Sequence, residues 1–109
     1  MWSYLNRQLQ RIINFFRPAY RAKDVEDFPE LLELKTVYAV GAPVSPWVLA
    51  FLCPCGCKAI IQLNLLKEAR PRWSYKVSKK GDITVQPSIW RKQGCQSHFF
   101  IRRGKIVWC

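Results

Sequence analysis

The run Cys53-Pro54-Cys55-Gly56-Cys57 constrains this chain more than any other segment. Three thiols stand on alternate positions, separated by the two residues that most readily bend a backbone. A fourth thiol and the only histidine follow as Cys95-Gln96-Ser97-His98, and a fifth thiol is Cys109. Zinc takes four soft or borderline ligands at tetrahedral angles, and thiolate with imidazole makes Zn2+ the default ion, in a structural role. The candidate ligands are Cys53, Cys55, Cys57, Cys95 and Cys109, with His98 as a further one. Because the spacing is not the common Cys-x-x-Cys knuckle, two arrangements stay open. One takes Cys53, Cys55 or Cys57, Cys95 and His98; the other is all-thiolate, recruits Cys109 and leaves His98 free. Five buried core cysteines are the plainer alternative, but core thiols are not placed in clusters at a hairpin tip. A disulfide inside the run would close a strained small loop, and an odd thiol count does not suit a complete disulfide framework.

The rest of the chain is consistent with one small domain that a metal would help to stabilise. It has 109 residues, half of them hydrophobic, and a domain of that size buries only part of its surface. The net charge of +11 favours an anionic partner such as nucleic acid, an anionic membrane surface or an acidic protein. Basic residues do interleave with aromatics, from Arg70 and Arg72 through Trp73, Tyr75 and Lys76 to Trp90, Arg91 and Lys92. In a strand, however, Trp73, Tyr75 and Val77 share one face and Lys76 lies opposite, so a core face with solvated cations is preferred to nucleic-acid binding. The longest apolar run, Trp47–Cys53, is too short to span a bilayer. No signal-peptide pattern is visible, so the expected compartment is the reducing cytoplasm, where thiols bind metal.

Two regions are expected. Residues 1–23 are basic, and Trp2, Leu5, Leu9, Ile12, Ile13 and Phe16 follow the helical i, i+3, i+4 pattern over 2–16, which Pro18 ends. This amphipathic helix is expected to pack on its own domain or in an oligomer contact rather than on a membrane. Residues 24–109 form the metal-binding β domain. It opens with an acidic connector at 24–33 and continues with strands at 36–40, 47–52 and 59–65. Hairpins follow at 73–77 with 82–85 and at 99–101 with 106–108. The thiol run sits at the tip between the second and third strands. The expected fold class is therefore mainly β (α+β): a small zinc-stapled antiparallel β domain of about six short strands with one N-terminal helix.

Ser88, Ser97 and His98 lie in the most polar part of an apolar C-terminal half. A serine near a histidine can act as nucleophile and base, with Asp82, Asn64 or a backbone carbonyl as orienting group. Against this, Ser88 after Pro87 suits a turn, and a histidine that ligates zinc cannot also accept a proton. From the residues alone the balance falls against catalysis.

The motifs together are more specific. The strings Cys53-Pro54-Cys55-Gly56-Cys57, Pro87-Ser88-Ile89-Trp90, Gly94-Cys95-Gln96-Ser97-His98-Phe99-Phe100-Ile101 and Gly104-Lys105-Ile106-Val107-Trp108-Cys109 resemble a bacterial family of small proteins labelled a domain of unknown function, over roughly residues 25–109. Its members are encoded beside ubiquitin-like modifiers and their E1- and E2-like enzymes. The resemblance implies a serine-type protease that processes or deconjugates the ubiquitin-like protein, with that protein and the E1- and E2-like enzymes as partners. On this footing His98 is the base and Ser88 the nucleophile. Ser97 is the alternative, disfavoured because neighbours on a strand point to opposite faces. A non-catalytic zinc adaptor of the same pathway, or a basic zinc module binding nucleic acid, are the rival readings.

Overall fold

A computed structural model describes residues 19–42 and 44–109. The helix expected over 2–16 lies outside them. Within them the chain is mainly β, with no helix and two four-stranded sheets. The first holds β1 (Arg21–Val25), β2 (Thr36–Ala42), β3 (Ser45–Leu52) and β4 (Ile60–Asn64) in that order. The second holds β5 (Ser74–Val77), β6 (Ile83–Trp90), β7 (His98–Arg102) and β8 (Lys105–Trp108), again in chain order. Every neighbouring pair is antiparallel except β1 with β2.

Three differences from the sequence reading matter. The described residues form eight strands rather than about six. The acidic connector begins inside β1, where only Ala22 and Val25 turn a partly buried side toward the protein. A parallel partner needs a crossover, and residues 26–35 supply it. Leu32 packs with Val25 against the outer face of the sheet, on Tyr38, Val40 and Ala50, and the Glu33 amide donates to the Tyr38 hydroxyl at 2.9 Å. That cover explains why β2 is buried on both faces. Finally, β6 continues through Pro87 to Trp90. Proline has no N–H to give a ladder and is tolerated at a bulge. Here Val85 pairs with Ile101 and Ile89 with Phe99, so three residues of β6 stand opposite Phe100 alone.

The two sheets pack face to face through one core. Leu49 and Phe51 of β3 meet Ile83, Ile89, Phe99 and Ile101 of the second sheet, all fully or almost fully buried. The rings of Phe51 and Phe99 meet edge to face with centroids 6.3 Å apart, a favoured aromatic geometry. Truncating such a phenylalanine costs about 3–5 kcal/mol. Alternation along β7 buries Phe99 and Ile101 and turns His98 and Phe100 outward. In β6, Ile83, Val85 and Ile89 are buried and Ser88 and Trp90 are not.

The segment before β1 stitches the sheets together. The Tyr20 amide donates to the Gly104 carbonyl at 2.7 Å, and the Gly104 amide to the Ile83 carbonyl at 2.8 Å. The β7–β8 turn makes this approach possible. Arg103 (φ 49) and Gly104 (φ 75) are its two central residues, as a type I′ turn requires. A side chain at Gly104 would meet Ala19 Cβ at 2.6 Å and the Tyr20 carbonyl at 2.9 Å.

Candidate active site and thiol cluster

The loops at one end of the sandwich gather the thiols. Cys53 follows β3 directly and belongs to the core, whereas Cys55, Cys57 and Cys95 are exposed. The Cys53 amide donates to the Ala59 carbonyl at 2.8 Å and the Gly56 amide to the Cys53 carbonyl at 3.3 Å. These bonds fold the 53–59 loop over its own base. Cys95 arrives from the β6–β7 loop of the other sheet. The four sulfurs of Cys53, Cys55, Cys57 and Cys95 lie within 4.8 Å of one another, with Cys53 3.4 Å from Cys55 and 3.6 Å from Cys95.

Those distances suit one shared ion. A tetrahedron with metal–sulfur bonds of about 2.3 Å has sulfurs ~3.8 Å apart, and all five cysteines are free thiols. The donor set is soft and complete at four, which fits a structural zinc. Two of the sequence candidates fall outside it. Cys109 is exposed and not among the four, although its amide donates to the His98 carbonyl at 2.9 Å. His98 is engaged elsewhere.

The surroundings act differently on the thiols of the cluster. The Ser97 hydroxyl lies 3.0 Å from Cys95 Sγ. That hydrogen bond, with one from the Ser97 amide, lowers the Cys95 thiol to about 5. Hydrogen bonding led by the Cys57 backbone also lowers Cys55. Burial instead raises Cys53 to about 11, because a lone anion is poorly solvated beside the core. Arg91 places Nη1 3.3 Å from Cys95 Sγ and 3.4 Å from Cys57 Sγ. A guanidinium there offsets part of the charge that four thiolates would collect and helps to orient two of them. Sequence reasoning missed this role for Arg91. The signal was its place four residues before Cys95, across a short loop that its own amide closes on the Ser97 carbonyl at 2.8 Å.

On the outer face of the second sheet, His98 Nε2 lies 3.1 Å from Ser88 Oγ. Each strand contributes one member. His98 sits opposite Trp90 in the ladder and stacks on its indole, centroids 5.2 Å apart and planes 20° from parallel. The ammonium of Lys92 lies 5.4 Å from the same indole centroid. Behind His98, buried Phe99 anchors β7 in the core. Ser88 is held by the Trp73 indole N–H, which donates to its carbonyl at 3.3 Å.

The other sequence candidates sit elsewhere. Ser97 turns toward Cys95 and Cys53, as alternation next to an outward His98 demands. Asn64 Oδ1 accepts from the Leu66 amide at 3.2 Å. Asp82 sits in the β5–β6 turn, where its amide donates to the Ser78 hydroxyl at 3.2 Å and its carbonyl accepts from the Ser78 amide at 2.9 Å. Among the described residues, no carboxylate forms an ion pair or hydrogen bond with His98. The arrangement is thus a serine–histidine pair steadied by ring stacking. Among the described residues, no helix is long and apolar enough to cross a membrane.

A family model described as "Bacterial ubiquitination-like system serine protease (BubE)" matches residues 24–109. Neither a curated protein nor a solved structure matches the chain.

Proposed function

The chain belongs to the BubE family of bacterial ubiquitination-like system serine proteases, and from that premise we propose that it is a peptidase acting on a ubiquitin-like protein in the cytoplasm, with Ser88 as nucleophile and His98 as base. The observation that carries this reading is the 3.1 Å contact between His98 Nε2 and Ser88 Oγ. In the reactive tautomer Nδ1 carries the ring proton and Nε2 accepts the Ser88 proton as Oγ attacks the scissile carbonyl carbon. The imidazolium then gives that proton to the leaving amine, and the C–N bond breaks. The Ser88 acyl ester is hydrolysed by a water that His98 deprotonates in the same way. Stacking on Trp90 keeps the ring plane aimed at Ser88 through both proton transfers.

In the same reading Cys53, Cys55, Cys57 and Cys95 hold a structural zinc. Such an ion supplies a crosslink between the sheets and takes no part in proton transfer. Its value to the chemistry is positional: Cys95 fixes the loop from which β7 and His98 begin. The substrate expected from the family is a ubiquitin-like protein bearing a C-terminal extension or conjugate, with E1- and E2-like enzymes as neighbours in the pathway.

The test combines three measurements on the wild type, Ser88→Ala and His98→Ala. These are cleavage of a ubiquitin-like protein with a C-terminal extension, labelling by a fluorophosphonate probe, and metal content. Both variants should lose cleavage by about a thousandfold or more and keep the metal. Cleavage that survives Ser88→Ala refutes the nucleophile assignment. Metal lost with His98→Ala favours the non-catalytic zinc-module reading instead.

A further inference from the structure

β6 is longer than the strand that flanks it. β5 pairs with it from Val77 opposite Ile83 to Ser74 opposite Gln86 and then stops, while β6 runs on to Trp90. The chain before Ser74 leaves the sheet, since the Trp73 amide donates to the Asn64 carbonyl of β4 at 2.9 Å. On the other flank the ladder with β7 continues. Arg91 donates to the Ser97 carbonyl, and the His98 carbonyl accepts from Cys109 on the β8 side. Antiparallel pairs alternate between hydrogen-bonded and open, so Trp90 opposite His98 is an open pair. The N–H and C=O of Trp90 therefore point to the flank that β5 has left, and among the described residues no hydrogen bond reaches them. The Ser88 carbonyl takes the Trp73 indole N–H. At Trp90, two residues from the proposed nucleophile, β6 thus has an uncovered edge.

A cleft of about 410 Å³ adjoins this edge, lined by Arg70, Arg72, Trp73, Ser74, Gln86 and Pro87. Arg70 Nη1 donates to the carbonyls of Lys67 and Ala69, both at 2.8 Å. Those bonds fix its guanidinium and leave further N–H donors for a ligand. Among the described residues no carboxylate pairs with Arg70 or Arg72.

Building on the protease reading above, we propose that this edge and cleft form the substrate subsite. An extended acidic segment of the protein substrate adds as a strand at the Trp90 edge, in line with β5, and sets an Asp or Glu side chain between Arg70 and Arg72. Main-chain bonds give such a site affinity and the flanking pocket gives it selectivity. Guanidinium groups bind carboxylates through paired, charge-assisted hydrogen bonds. Docking there draws the scissile carbonyl across Ser88.

The experiment measures binding without turnover. Fluorescein-labelled, C-terminally amidated decapeptides, identical except for one Glu, Gln or Lys, are titrated by anisotropy against the Ser88→Ala variant. The Glu peptide should bind about tenfold more tightly than the Lys peptide. Adding Arg70→Glu and Arg72→Glu should reverse that order, and Arg70→Gln with Arg72→Gln, a milder pair, should abolish it. N-methylation at alternate peptide amides should weaken binding while the intervening positions tolerate it. Equal affinity for Glu and Lys peptides, or a preference that survives both arginine pairs, overturns the cleft; N-methylation with no alternation overturns strand addition. Fluorophosphonate labelling of Ser88 in the otherwise wild-type arginine variants reports the serine–histidine pair separately. Absent labelling in the wild type itself sinks the protease reading, while charge-selective binding still upholds the docking site.

Discussion

Removing one thiol of the cluster should cost the fold a measurable and calculable amount. Cys53 and Cys95 are 42 residues apart in sequence and come from different sheets. A crosslink between them restricts the unfolded chain by an entropy that the loop-closure relation converts to about 4 kcal/mol at 25 °C. A domain of this size has only about 5–15 kcal/mol of net stability, so the crosslink is a large share. With a melting shift of roughly 4–8 °C per kcal/mol for a domain this small, Cys95→Ser in zinc-saturated protein should lower Tm by about 20 °C. Chelation of the wild type should do the same, and added zinc should reverse it. Cys109→Ser is the control: it should keep one metal per chain and leave Tm within ~2 °C of wild type, a surface change. Differential scanning fluorimetry with elemental analysis reads both quantities. Metal lost with Cys109→Ser, or Tm unchanged after Cys95→Ser, refutes the four-thiol assignment.

Other expectations follow from the same contacts. Trp90→Ala removes the ring on which His98 stacks, an interaction of about 0.5–1.5 kcal/mol. Peptide turnover should therefore fall about 2- to 10-fold, with Trp90→Phe restoring most of it; equal losses in both variants argue against stacking. In metal-free protein, iodoacetamide at pH 6 should modify Cys95 first and Cys53 last. Cys95 is held near 5 and so is thiolate above that pH, whereas Cys53 is raised to about 11 and stays a thiol throughout the neutral range. Mass spectrometry of the peptides reads the order, and indistinguishable rates would contradict it. Zinc should protect these four thiols and leave Cys109 reactive.

The thiol run and Cys95 are legible in the sequence because metal-ligand chemistry imprints short spacings and turn residues. Cys109 is not legible, because pairing its backbone beside β7 does not deliver its thiol to the cluster, and only the register of β8 decides that. The division of His98 between metal and serine depends on one alternation: Phe99 is needed in the core, so His98 faces outward with Ser88. The mainly β character follows from apolar alternation in β4 and β7. β1 escapes notice because a charged edge strand buries only Ala22 and Val25. The second half of β6 escapes because Pro87 reads as a break, and only the bulge against Phe100 makes it acceptable there. Arg91 and Trp73 act through contacts across loops and sheets, which a linear pattern does not encode.

The β6–β7 hairpin joins residues that are ten apart at the serine–histidine pair, whereas the sulfur cluster joins residues 42 apart. Local contacts close early in folding, and distant ones wait for the rest of the chain. Closing the Ser88–His98 contact therefore costs the chain less entropy than closing the sulfur cluster. With a metal ion as the tether, the costlier closure would be offset by binding energy that depends on the supply of metal. A metal-starved cell would then hold protein about 4 kcal/mol less stable, with a smaller folded fraction able to present Ser88 and His98 to a substrate, and repletion would raise activity without new synthesis.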